Sequence, residues 1–154
     1  MNKTIARCIF ICAVSVWLVL SLAAPWVMSD GNGFLRGFVN HELLAFLGVV
    51  VTITLASATN LHLELNKLEQ EKGKRGFPQT RASIKRSAVA LITMLVIAVV
   101  LTVAKPLVML PDPHQLQIAQ SLFNGAALLI VLFNVLVLID LTQSAFLIGP
   151  NLKD

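Results

Sequence analysis

Residues Ser87 to Ala104 read SAVALITMLVIAVVLTVA, eighteen consecutive positions without one charged side chain. The hydrocarbon core of a bilayer is about 30 Å thick, and a helix crosses it with ~20 mainly apolar residues. Lipid offers no water to backbone N–H and C=O groups, so an isolated span must satisfy them internally as a helix. This stretch therefore predicts a membrane-spanning helix, and the rest of the chain is read against it.

Downstream, Lys105 and Pro106 close the run. Pro106 lacks an amide hydrogen and should end or kink the helix. Pro111 and Pro113 follow, and Leu107 to Leu110 is expected along the interface. A further apolar run extends from about Ile118 to Leu141. Upstream lie two more, Cys8 to Met28 and about His41 to Leu61, giving four spans in all. The basic start at Lys3 and Arg7, with Ser21-Leu22-Ala23 beyond an apolar core, also has the layout of a signal peptide. The apolar run continues through Ala24 to Met28, which favours a retained span. Cys8 and Cys12 stand i, i+4 on that helix and read as small apolar residues rather than a disulfide.

Composition agrees. The chain of 154 residues is 56% hydrophobic and 13% charged. Soluble domains average roughly 25% charged residues, so a water-soluble fold of this size would leave too much apolar surface uncovered. The expected fold class is an all-α integral membrane protein, a single domain of four transmembrane helices. The net charge of +4 would draw a soluble protein to nucleic acid. Here the charge is concentrated by topology instead, and no nucleic-acid partner is expected.

Ten of the twelve Lys and Arg residues fall at the chain's ends or in the 62–86 loop, and only Arg36 and Lys105 fall in the other two loops. Cytoplasmic loops carry the basic excess. Both termini and the 62–86 loop are therefore expected on the cytoplasmic side, in keeping with a bacterial inner membrane. Trp26 stands where an outer interfacial anchor belongs. Asp30-Gly31-Asn32-Gly33 marks a turn in the first outer loop.

The second span is expected to run on into the cytoplasm. Leu61, Leu65 and Leu68 recur at i, i+4, i+7 on one helical face. Glu64 with Lys67, Lys67 with Glu71, and Glu69 with Lys72 are favourable helical pairs. Gly73, Gly76 and Pro78 supply the stop. The three leucines either rest on the protein's own loop or the lipid interface, or dock a soluble partner or a sister subunit.

Motifs that carry chemistry are few. His41-Glu42 begins like a zinc-binding HExxH, but Ala45 stands in place of the second histidine. His62-Leu63-Glu64 begins like a zinc-deaminase signature without the CxxC that should follow. There is no glycine-rich phosphate loop and no serine with a paired base, so no catalytic residue, metal site or cofactor is expected. Asn134 is the deepest polar residue and should hydrogen-bond across helices. Asp140, at the inner end of the fourth span, is depth-matched to His62, Lys85 and Arg86 and is expected to pair with one of them. Glu42 and Lys105 share a depth at the outer end and form a second expected pair. Gly48, Thr52, Ala56 and Asn60 recur every four residues as a stripe of small side chains, which lets helices approach closely.

These features point to a small oligomeric membrane scaffold or sensor subunit. Its expected partners are membrane lipids, further copies of the chain and a cytosolic protein. An ion channel or small-solute transporter subunit, using Asn134 and Asp140, is the first alternative. A toxin-immunity type membrane protein, which needs no chemistry of its own, is the second.

Overall fold

The computed structural model describes residues 3–72 and 78–148. Helices α1 (Lys3–Ala23), α2 (Pro25–Met28), α3 (Gly33–Phe38), α4 (His41–Lys72) and α5 (Pro78–Ala104) follow in order. A 3-10 turn over Lys105–Leu107 then leads to α6 (Pro113–Ile148). No strand occurs among the described residues. Four of the helices, α1, α4, α5 and α6, are long and apolar enough to cross a membrane. The end of the bundle where α4 gives way to α5 is here called the hairpin end, and the opposite end, with α2, α3 and the 3-10 turn, the cap end.

Local sequence explains the boundaries. Pro25 disfavours helical backbone at the residue before it, and Ala24 adopts φ −145°, ψ 62°, so the first apolar run breaks there. Pro25 then opens α2 at a first-turn position, where its missing N–H costs nothing. Asn32 accepts from the backbone N–H groups of Phe34 and Leu35 and so caps α3, a short helix inside what hydropathy reads as loop. Asn40 caps α4 by accepting from Glu42 N–H at 2.9 Å, and Asp112 caps α6 by accepting from His114 N–H at 3.0 Å. Such caps satisfy amides that the first helical turn leaves open. Pro106 ends α5, as its missing amide requires.

Two helices outrun the apolar stretches that announced them. Hydropathy places the third span's start at Ser87, whereas α5 begins at Pro78. The fourth was expected over 118–141, whereas α6 runs from Pro113 to Ile148. Hydropathy marks the apolar stretch, and these helices continue beyond it on both polar and apolar residues. α4 reaches Lys72, as the leucine spacing anticipates. Of the pairs expected along it, Lys67 and Glu64 meet at 3.6 Å. Gly73, Gly76, Lys74, Arg75 and Lys153 lie outside the described residues, as do the side chains of Leu68, Glu71 and Lys72.

α6 is the hub, packed against α1, α2, α4 and α5, and α4 pairs with α5 along its length. On α4 the buried positions are Leu43, Leu47, Val51, Thr54, Ala58, Leu61 and Leu65. Their spacings of three and four keep one face turned inward for about six turns. They feed two clusters. Toward the cap end Leu43 and Leu47 meet Ala98, Ala127 and Ile130. Toward the hairpin end Ala58, Leu61 and Leu65 meet Ile84 and Leu141. α1 joins neither cluster and is laid against α6.

Candidate functional site

The α1–α6 seam depends on one missing side chain. A Cβ placed on Gly125 would fall inside the Trp17 indole, so only glycine lets that ring lie on the α6 backbone. Farther along, Phe10 meets Phe133 edge-on with ring centroids 6.2 Å apart. Near the cap end Ser121 Oγ donates to Ser21 Oγ at 2.9 Å, and both serines are fully buried.

From there a polar cluster spreads across the cap end. α2 folds over the top of α6 and carries the Ser29–Asn32 turn with it. This brings Asp30 to the end of α5, where its carboxylate meets Lys105 Nζ at 2.7 Å, the lysine side chain only 10% exposed. Asn124 of α6 donates through Nδ2 to the Met28 carbonyl at 2.8 Å and to Asp30 Oδ1 at 3.1 Å. Asp30 N–H donates to Gln120 Oε1. A mostly buried ammonium needs its counter-charge and hydrogen bonds close by, and this cluster supplies both. The expected pairing of Lys105 with Glu42 is thus replaced by Asp30. Shared depth along the axis was the basis for choosing Glu42, but its side chain is exposed on α4, while the α2 fold-over delivers the other acid. Sequence reading missed Asn124 and Ser121. The available signal was that both are polar residues inside the apolar run of about 118–141.

At the hairpin end a second polar contact fixes the start of α5 to the far end of α4. Arg81 Nη2 donates to Asn66 Oδ1 at 2.5 Å and to Glu69 Oε2 at 2.7 Å. Leu61 and Leu65, raised above as candidates for partner docking, lie beneath this clamp, 4% and 0% exposed. They belong to the bundle's own core with Ile84 and Leu141. Hydrophobic spacing marks a buried face without saying what covers it.

The remaining sequence candidates are dispersed. Asn134 is fully buried, and its Nδ2 donates to the Ile130 carbonyl of the same helix at 2.8 Å rather than across to a neighbour. Its Oδ1 has no hydrogen-bond partner. Asp140 lines a groove of ≈ 480 Å³ beside Arg7 and Ser87, whereas His62 and Lys85 line a separate groove between α4 and α5. Thr52, Ala56 and Asn60 are exposed, and nothing lies near the open side of Gly48, so the small-residue stripe faces away from the bundle. Thr52 Oγ1 donates to Gly48 O at 2.7 Å, which satisfies the hydroxyl on that open face. Among the described residues no three of His, Cys, Asp and Glu come together as metal ligands would.

The class this architecture defines is a multi-pass helical membrane protein. Compared with protein-family models, with curated proteins and with solved structures, the chain matches none.

Proposed function

We propose that the chain is a small, non-enzymatic membrane scaffold or sensor subunit. In this reading both termini and the α4–α5 hairpin face the cytoplasm of a bacterial cell, the hairpin is presented to a soluble partner, and copies associate side by side. The observation that carries it is the clamp at the hairpin end. Arg81 tied to Asn66 and Glu69, over a floor of Leu61, Leu65 and Ile84, supports a stiff projection rather than a loose loop. Stiffness matters because an ordered docking element avoids the entropy that a flexible one loses on binding. With Leu61 and Leu65 turned inward, the surface left for a partner is the outer face, on which Leu63, Glu64, Lys67 and Gln70 are exposed. The basic residues at this end support the assigned orientation. For self-association the supporting feature is the open stripe of Gly48, Thr52, Ala56 and Asn60, where small side chains let backbones come close.

The test is native mass spectrometry of the tagged protein, extracted gently from its own cells. A complex with a soluble protein that is lost on Leu63→Asp, Lys67→Glu, with helicity unchanged, is the expected result. Recovery of the same complex from that variant would sink the docking role.

A second reading, a channel or small-solute transporter subunit, is favoured by one observation, the unpartnered Oδ1 of Asn134 deep in α6. In this reading several copies surround a path, and Asn134 and Asp140 contribute to it. Ion flux into liposomes should then fall at least tenfold in the Asn134→Leu, Asp140→Asn variant, and unchanged flux removes the reading.

A further inference from the structure

Between α4 and α5, at the hairpin end, lies a groove of ≈ 410 Å³ whose two ends differ in chemistry. Its mouth carries His62 from α4 with Arg81 and Lys85 from α5. Its depth is lined by Leu55, Ala58 and Ala88. Leu55 and His62 are seven residues apart, as are Arg81 and Ala88, so on each wall the change from charged to apolar takes two turns, about 10 Å. The direction of change follows the sequence, because Leu55, Ala58 and Ala88 lie within the uncharged stretches of α4 and α5 and the basic residues flank them.

Among the described residues no carboxylate lines this groove. Arg81 is held by Glu69 and Asn66, which fixes the guanidinium at the mouth and offsets one positive charge. His62 and Lys85 are exposed beside it. The mouth therefore sets the anchored guanidinium of Arg81 beside the exposed ammonium of Lys85, with an imidazole that can donate. That set suits the negative oxygens of a phosphodiester. The small side chains at Ala58 and Ala88 leave room below it for a chain to lie against both helices. A soluble phosphate would use the mouth and leave the apolar depth empty. An amphiphile with an anionic head fills both.

We propose that this groove holds one anionic phospholipid, its phosphodiester against His62, Arg81 and Lys85 and an acyl chain along Leu55, Ala58 and Ala88. Basic pockets between transmembrane helices are a recurrent way of holding anionic headgroups. The inference needs only that the bundle sits in a bilayer, and it stands apart from the scaffold reading.

The test is native mass spectrometry of the full-length protein in detergent, titrated with equal amounts of phosphatidylglycerol and phosphatidylcholine of matched chains. One phosphatidylglycerol should be retained preferentially. Lys85→Gln should cut that preference about fivefold, the loss expected for one cation near an anionic headgroup. Arg36→Gln, an exposed cation at the cap end, should leave it unchanged. Ala88→Phe, which fills the depth and leaves every charge in place, should abolish retention of the acyl lipid. Equal retention of the two lipids would mean ordinary solvation of the bundle and would overturn the proposal. So would an equal loss in the Lys85 and Arg36 variants, which would indicate only diffuse attraction. Competition by glycerol phosphate at concentrations similar to the lipid would show that the head alone is read and the acyl chain is not, which also overturns it. Circular dichroism and cross-linking of α4 to α5 confirm that each variant keeps the hairpin.

Discussion

α1 and α4 differ in a way that reverses the habit of soluble proteins. The most apolar stretch of α1 has a mean hydropathy of 2.3 and is 6% buried, while that of α4 has 1.9 and is 28% buried. The more apolar helix is the less enclosed. In water this would be a costly inversion, but lipid tails are as apolar as leucine, so apolarity gives no drive for one helix to seek another. What binds α1 to α6 is shape and polarity: an indole over a glycine, an aromatic edge contact and a buried serine pair. What binds α4 is a continuous inward face that runs from Leu43 to Leu65.

The sharpest way to break this contrast is at Leu65. It sits at the hairpin end, where the ordinary hydrophobic effect applies if that end is wet. Leu65→Ala should cost about 2–5 kcal/mol, the range for a buried leucine cut back to alanine. Unfolding of the detergent-solubilised protein by added denaturing surfactant measures it. Loss below 1 kcal/mol would mean that the site is covered by lipid and that the hairpin does not project.

Next comes Gly125→Val, which drives a side chain into the Trp17 ring. Overpacking of this kind costs about 1–3 kcal/mol. Here it should release α1 while α4, α5 and α6 stay together. Cross-linking between cysteines introduced at Ala13 and Leu129 should fall, and between cysteines at Ala58 and Ile84 it should persist. Trp17→Ala in the same background should restore part of the lost linkage.

Asn124→Leu removes both bonds to the α2 turn and leaves the Asp30–Lys105 pair with one fewer donor. Cross-helix hydrogen bonds in membranes average about 0.6 kcal/mol and reach ~1.7, so a loss near 1 kcal/mol is expected by the same unfolding measurement. The smallest effect belongs to Asn134→Leu. This asparagine bonds only to its own helix and keeps one oxygen orphaned. Replacing an unsatisfied buried group by an apolar one of similar shape is close to neutral, so the change should stay within about 0.5 kcal/mol. A large loss would show that Asn134 has a partner in an assembled form.

Much of this arrangement is legible in the chain itself. Apolar runs locate four candidate spans, Pro106 marks the end of one, and the leucine spacing carries α4 to Lys72. The starts of α5 at Pro78 and of α6 at Pro113 are not read from hydropathy, because polar and charged residues end an apolar run without ending a helix. The site was less legible. Leu61 and Leu65 declare a buried face, yet only the fold reveals that Ile84 and Leu141 cover it. The partner of Lys105 depends on where α2 folds, a tertiary event that one sequence does not encode as spacing. Trp17 and Gly125 are individually unremarkable residues whose meaning lies in their meeting.

That meeting also has a clock. Ser21 and its partner Ser121 are separated by 100 residues of chain. Ribosomes add roughly 5–20 residues per second, so α1 emerges some 5 to 20 seconds before the helix it leans on. During that interval it has neither glycine cradle nor serine partner, only surrounding lipid. Its sparse set of side chains needing a protein neighbour is what lets it wait there, and its docking comes as a late event in the birth of the molecule.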